Sequence, residues 1–161
     1  MTLPSRRLAD LGLSLPAVPA PVAAYVPAVR FEDVVYTAGQ LPLVDGTLRA
    51  VGKVGDEVLV DEAVDCARIA ALNGLAAVAD LTGDLNVILR ILRVVVYVAS
   101  APGFTDQPVV ANGASRLLGD IFGEAGRHAR SAVGVAGLPL DAPVEVELMV
   151  SVGSTPTIVP L

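Results

Sequence analysis

Glu145 and Glu147, two carboxylates at i and i+2, are the residues of this chain best placed to do chemistry. Side chains alternate across an extended strand, so both project from one face, roughly 7 Å apart. Their mutual repulsion is modest in water and grows in a partly buried site. Such a carboxylate can orient a water beside a small-molecule pocket. It can equally hold a cation in a cross-strand or intersubunit ion pair, and Arg130 is the nearest candidate partner by chain path. The single cysteine, Cys66, and single histidine, His128, cannot build a nitrogen/sulfur metal cluster from one chain. No metal or cofactor is expected. Cys66 falls on the apolar face of a predicted helix, where a thiol serves as a small hydrophobe.

The elements that must position these groups follow from periodicity. Residues 130–152 read as two strands around a tight Leu138-Pro139-Leu140-Asp141-Ala142-Pro143 link, a final hairpin. In its second strand Val144, Val146, Leu148 and Val150 share the face opposite the glutamates. Residues 86–100 form a long strand whose Val94–Val98 run lacks alternation, so both its faces should be buried. Residues 26–30 and 34–38 read as strands around a Phe31-Glu32-Asp33 turn. Asp45-Gly46 is a turn signal leading to a short strand at 47–49.

A long helix is expected from Asp61, as N-cap, to about Leu81, with Glu62 in its first turn. Ala63, Cys66, Ala67, Ala70, Ala71, Gly74, Leu75 and Val78 form its apolar stripe, and Asp65, Arg68 and Asn73 its solvated side. A second helix runs from about Pro108 to Gly123, with Val110, Ala114, Leu117 and Ile121 facing the core. Residues 1–23 supply a short helix at 5–11, capped by Ser5, and an extended arm at Pro16–Pro21. Residues 24–161 form one domain. The sum is a two-layer α+β fold, two long helices on one face of a six-stranded mixed sheet. The Val-rich opposite face has nothing in this chain to cover it and calls for copies of the same chain.

Composition narrows the partners. The chain has 161 residues, 53% of them apolar, and a net charge of −6. That field repels phosphate backbones, so nucleic acid is not an expected partner. The local group Arg127, His128 and Arg130 reads as a solvated turn with an ion-paired arginine. Ser5-Arg6-Arg7 resembles the start of an export signal, but Asp10 and Gly12 break the apolar stretch that should follow. Arg90 and Arg93 divide the longest apolar region, so no membrane span is expected. The chain reads as cytoplasmic.

Several phrases, in order, are similar to the RidA/YjgF family, known for hydrolysing reactive enamines and imines. They are Tyr25, Thr37-Ala38-Gly39-Gln40-Leu41-Pro42, Arg130-Ser131-Ala132-Val133-Gly134-Val135, Leu138-Pro139 and Val144-Glu145-Val146-Glu147. The resemblance covers residues 24 to about 152. It implies a chorismate mutase-like fold and a homotrimer with ligand sites in the three clefts between subunits. By motif position it lines each cleft with Tyr25, Gly39, Gln40, Asn112, Arg130, Ala132, Gly137 and Glu147. Glu147 would orient water and assist proton transfer, while Tyr25 and Asn112 hold the substrate. It further implies that deaminase members carry an Arg gripping the substrate carboxylate just before Leu-Pro, where this chain has Gly137. Losing such a charge-assisted pair would cost roughly a hundredfold in recognition of 2-imino acids.

Two readings follow. The first is a cofactor-independent hydrolase of a small enamine, imine or related metabolite; the second is a non-catalytic metabolite-binding homotrimer. Ribonuclease activity, a label attached to the resembled family, gains no support from the acidic charge and lone histidine.

Overall fold

The computed structural model describes residues 2–18 and 24–153. Its elements are α1 (Pro4–Asp10), β1 (Ala28–Phe31), β2 (Val34–Thr37), β3 (Leu43–Val44), β4 (Thr47–Leu48), α2 (Val60–Thr82), β5 (Ile88–Ala99), α3 (Gln107–Phe122), β6 (Ala129–Val135) and β7 (Val144–Val152). Both long helices lie on one face of a mixed sheet, as the α+β reading requires.

The main sheet has five strands in the order β1-β2-β7-β5-β6. The expected sixth, at 47–49, is β4, which pairs instead with β3 in a separate two-stranded ribbon. Asp45 and Gly46 at its tip both have positive φ (50° and 80°), the backbone a tight I′-type hairpin turn demands. Residues 130–152 do not form a hairpin either. β6 pairs only with β5, in parallel, and β7 runs antiparallel to β5 on its other side. The link between them turns through Leu140 and Asp141, both with positive φ, and carries the chain past the end of β5.

Helix ends differ from expectation in small, physical ways. α1 starts at Pro4, and Ser5 donates its backbone N–H to Asn86 Oδ1 at 3.0 Å instead of capping. α2 begins one residue before Asp61; Glu62 reaches back to accept from the Leu59 N–H at 3.1 Å. Asn73 is no bystander on a solvated side, because its Nδ2 donates to the carbonyls of Leu41 (2.9 Å) and Leu43 (3.1 Å). Of the N-terminal arm, residues 19–21 lie outside the described residues.

The core fills the space between helices and sheet with Val35, Leu75, Ile91, Val94, Val96, Val98, Leu118 and Ile121. Cys66 is buried there, its thiol pushed up to about 11, chiefly by burial. α2 and α3 meet closely because Gly113 lies against the backbone carbonyl of Val64.

In β7 the pattern is strict: alternate residues from Val144 to Val152 are buried and those between are half-exposed. β5 follows the same rule, with Val94, Val96 and Val98 buried and Val95 and Tyr97 half-exposed, so only one face of the Val94–Val98 run is covered within the chain. The open face carries Val29, Phe31 and Tyr36, 53%, 69% and 40% exposed.

Candidate functional site

Register assigns the chemistry-bearing residues to faces. Glu145 pairs with Tyr97 and Glu147 with Val95 across β7 and β5, on the open face. Neither glutamate has an ion-pair partner among the described residues. Glu147 instead accepts a hydrogen bond from Tyr97 Oη at 3.3 Å. Burial, then the charges of Glu147 and Glu145 and that hydrogen bond, raise the tyrosine's pKa above its ordinary value. Glu145 is also raised, first by burial and then by Glu147.

Strand β2 leaves its partner beside these carboxylates. Main-chain pairing with β7 ends at Tyr36 and Met149, and Thr37 Oγ1 accepts the Leu148 N–H at 2.9 Å. Pairing resumes at Gln40, which exchanges two 2.9 Å backbone bonds with Val146. In the gap Gly39 lies directly against the Glu145 carboxylate, closer than any side chain would permit. Tyr25, 59% exposed, borders a hollow of about 420 Å³ with Thr37 and Ala38 next to that gap. Tyr25 thus shares a hollow with the segment that leads into Gly39, and Gly39 in turn lies against Glu145. Gln40 turns the other way, its Cγ towards Gly74 of α2.

A second group sits at the β6 edge. Arg130 and Ala132 pair with Val94 and Val96, whose side chains face the helices. The Arg130 side chain crosses to α3, where Nη1 donates to Asn112 Oδ1 (2.9 Å) and Ser115 Oγ (3.1 Å). The Arg130–glutamate pair expected across neighbouring strands is therefore not formed within one copy; β6 is not the neighbour of β7. His128 joins the group, with Nε2 3.0 Å from Ser115 Oγ and Nδ1 2.6 Å from the Gly126 carbonyl. Arg127 pairs with Glu124 at 3.3 Å in solvent, the ion-paired turn expected. Ser115, Arg127, His128 and Arg130 border a shallow hollow of about 330 Å³.

Gly137 follows β6 in an exposed loop, and a Cβ there would meet nothing within 4 Å. The nearest cation is Lys53, whose Nζ donates to the Ala136 carbonyl. Sequence reasoning missed Tyr97, Ser115 and Lys53. Tyr97 lay within an apolar run that reads as core, and the others join the site through contacts distant in sequence.

Residues 5–152 match the model of the YjgF/chorismate mutase-like, putative endoribonuclease family. The chain belongs to this family. Among YjgF relatives, it is 42% identical over 148 residues to Protein TCP17 of Trypanosoma cruzi, covering 91% of this chain and 92% of that one. It is also 42% identical to Atu1372 of Agrobacterium tumefaciens, a solved structure of unknown function (TM-score 0.86, covering 93% and 92%). Escherichia coli TdcF, solved with bound serine, is 25% identical at a TM-score of 0.61, covering 85% of this chain and 94% of that one. The five-stranded sheet with both long helices on one face is the chorismate mutase-like fold of the YjgF family.

Proposed function

We propose that this YjgF chain is a cytoplasmic, cofactor-independent hydrolase of small carboxylate-bearing enamines or imines, working in clefts between the copies of a homotrimer. One observation carries the reading. A carboxylate at Glu145 and a clamped guanidinium at Arg130 lie on strands two positions apart in the sheet, roughly 10 Å at ordinary strand spacing, and three residues apart along it, roughly 10 Å more. They also belong to opposite faces. One copy cannot bring them to one small ligand, whereas a second copy docking its β6 edge beside Gly39 could. The uncovered apolar face of the sheet supports such docking.

Each group has a role that fits. Arg130 takes the substrate carboxylate, so Gly137 does not leave the cleft without a cation. The serine bound to TdcF carries an α-carboxylate of the same class. Of the two glutamates, Glu145 is the better proton carrier. It lies against Gly39 where β2 leaves β7, and burial, then the charge of Glu147, raises its pKa. As an acid it protonates the enamine carbon to give the imine; as a carboxylate it then takes a proton from water attacking the C=N carbon. The carbinolamine expels ammonia and leaves a 2-keto acid. Imine hydrolysis is facile, so positioning and one proton relay suffice. Glu147, tied to Tyr97, keeps Glu145 raised through its charge. Tyr25 closes the substrate side.

The test is to generate 2-aminoacrylate in the presence of the protein and follow pyruvate and ammonia release, alongside sedimentation analysis. Acceleration lost in Glu145→Gln supports the reading. Tight pyruvate binding without acceleration leaves the metabolite-binding trimer instead, and a monodisperse monomer removes the cleft.

A further inference from the structure

Beside Arg130 the structure holds a chain of four hydrogen bonds whose direction can be worked out from its far end. The Gly126 carbonyl can only accept, so His128 Nδ1, 2.6 Å away, must carry the hydrogen. In the neutral imidazole Nε2 is then a lone-pair acceptor. Ser115, 3.0 Å from it, must give Nε2 its hydroxyl hydrogen. The serine oxygen keeps its lone pairs for Arg130 Nη1 at 3.1 Å. The other Nη1 hydrogen goes to Asn112 Oδ1 at 2.9 Å.

Both Nη1 hydrogens are therefore used, and with a neutral imidazole every link has one polarity. Among the described residues, Nε–H and Nη2 of Arg130 have no partner. Those two groups form a planar edge that matches a carboxylate two bonds at a time. A guanidinium on an exposed edge strand would otherwise sample many rotamers and spend entropy on binding.

We propose that Ser115 and His128 are positioning residues that lock one end of Arg130 and aim its Nε/Nη2 edge at the carboxylate of the ligand. The inference rests on the reading of Arg130 as the carboxylate anchor. Asn112 alone could hold Nη1 at a point but could not fix the plane; the second bond to Ser115 does. His128 acts one step further out, by forcing the serine hydroxyl to present its lone pairs to Arg130. Specificity for carboxylates over neutral isosteres then depends on residues that never touch the ligand.

The experiment measures binding of pyruvate and of its uncharged counterpart pyruvamide to the full chain and its variants. Ser115→Ala should weaken pyruvate about tenfold, the scale of misdirecting one charge-assisted bond, and leave pyruvamide unchanged. Ser115→Thr, which keeps the hydroxyl, should restore most of it, and His128→Gln should fall between. Unchanged pyruvate affinity in Ser115→Ala overturns the proposal. So does equal loss for both ligands, the mark of general disorder. Arg130→Gln separates the underlying reading: if it leaves pyruvate binding intact, Arg130 is not the anchor at all. If it abolishes binding while Ser115→Ala does nothing, only the positioning role fails. A measurement on the unaltered protein needs no variant. With one histidine in the chain, nitrogen-15 spectra resolve a single imidazole, and the Nδ1–H tautomer is required; the Nε2–H tautomer overturns the chain's direction.

Discussion

Gly39 sits against the carboxylate of Glu145 so closely that even a methyl group on its Cα would overlap the carboxylate oxygen. The glycine thereby decides where the acid of the proposed site can rest. Gly39→Ala should fold, because the obstruction is the far end of a flexible side chain. Hydrolysis of 2-aminoacrylate should drop by about tenfold or more as the carboxylate swings away. Unchanged turnover would mean that Glu145 does not act from this position.

The raised pKa of Glu145 gives a signed pH dependence. Its ordinary value is 4.5, and the folded value lies above it. Well below 4.5 the group is protonated in both states and adds nothing. As pH climbs through 4.5 the unfolded chain ionises first, so stability falls until the folded value is passed. Glu145→Gln removes that penalty. Its melting temperature should match that of the parent in acid and exceed it increasingly towards neutrality. A constant difference across the range would contradict the assignment of cause.

Position 137 offers a direct contrast between chain pattern and geometry. By resemblance, an arginine there grips the ligand carboxylate. In the fold, a Cβ at Gly137 would meet nothing within 4 Å, and Arg130 is already clamped by Asn112 and Ser115. Gly137→Arg should therefore change stability by no more than about 0.5 kcal/mol. Pyruvate titration should find its affinity within about threefold of the parent, under 1 kcal/mol. A gain of a hundredfold would restore the anchor to position 137.

Gly113 sets the distance between the long helices. A Cβ there would strike the carbonyl of Val64, which belongs to backbone and cannot turn aside. Gly113→Ala should cost about 1–3 kcal/mol in denaturant unfolding, the scale of overpacking. A neutral substitution would show that the helices can separate without loss.

Cys66 provides a probe of opening. With its thiol at about 11 and no exposed surface, it should resist alkylation at mildly alkaline pH. Labelling should follow global unfolding across a denaturant series. Rapid labelling of the native protein would contradict the burial of α2.

What could be read from residue order was local. The alternation of Val144, Val146, Leu148 and Val150 foretold which face of β7 is covered, and the small-residue stripe of α2 foretold its packing. Strand adjacency was not legible. β6 and β7 are close in sequence and joined by a turn-rich link, yet β5 lies between them, because pairing depends on backbone groups that look alike in every strand. The same error misplaced the partner of Arg130, whose neighbours come from α3. Asn73 was misread for a related reason: its position on a helical wheel gave no hint that the Leu41 and Leu43 carbonyls pass within reach.

The strand order has one further consequence. β7, last in chain order of the described strands, lies in the middle of the sheet, with β2 on one side and β5 on the other. Until it docks, β1-β2 and β5-β6 have no shared partner and the two halves cannot join. Before that the chain holds two unfinished sheet edges, both rich in valine. Closure of the sheet is set by contacts between residues far apart along the chain.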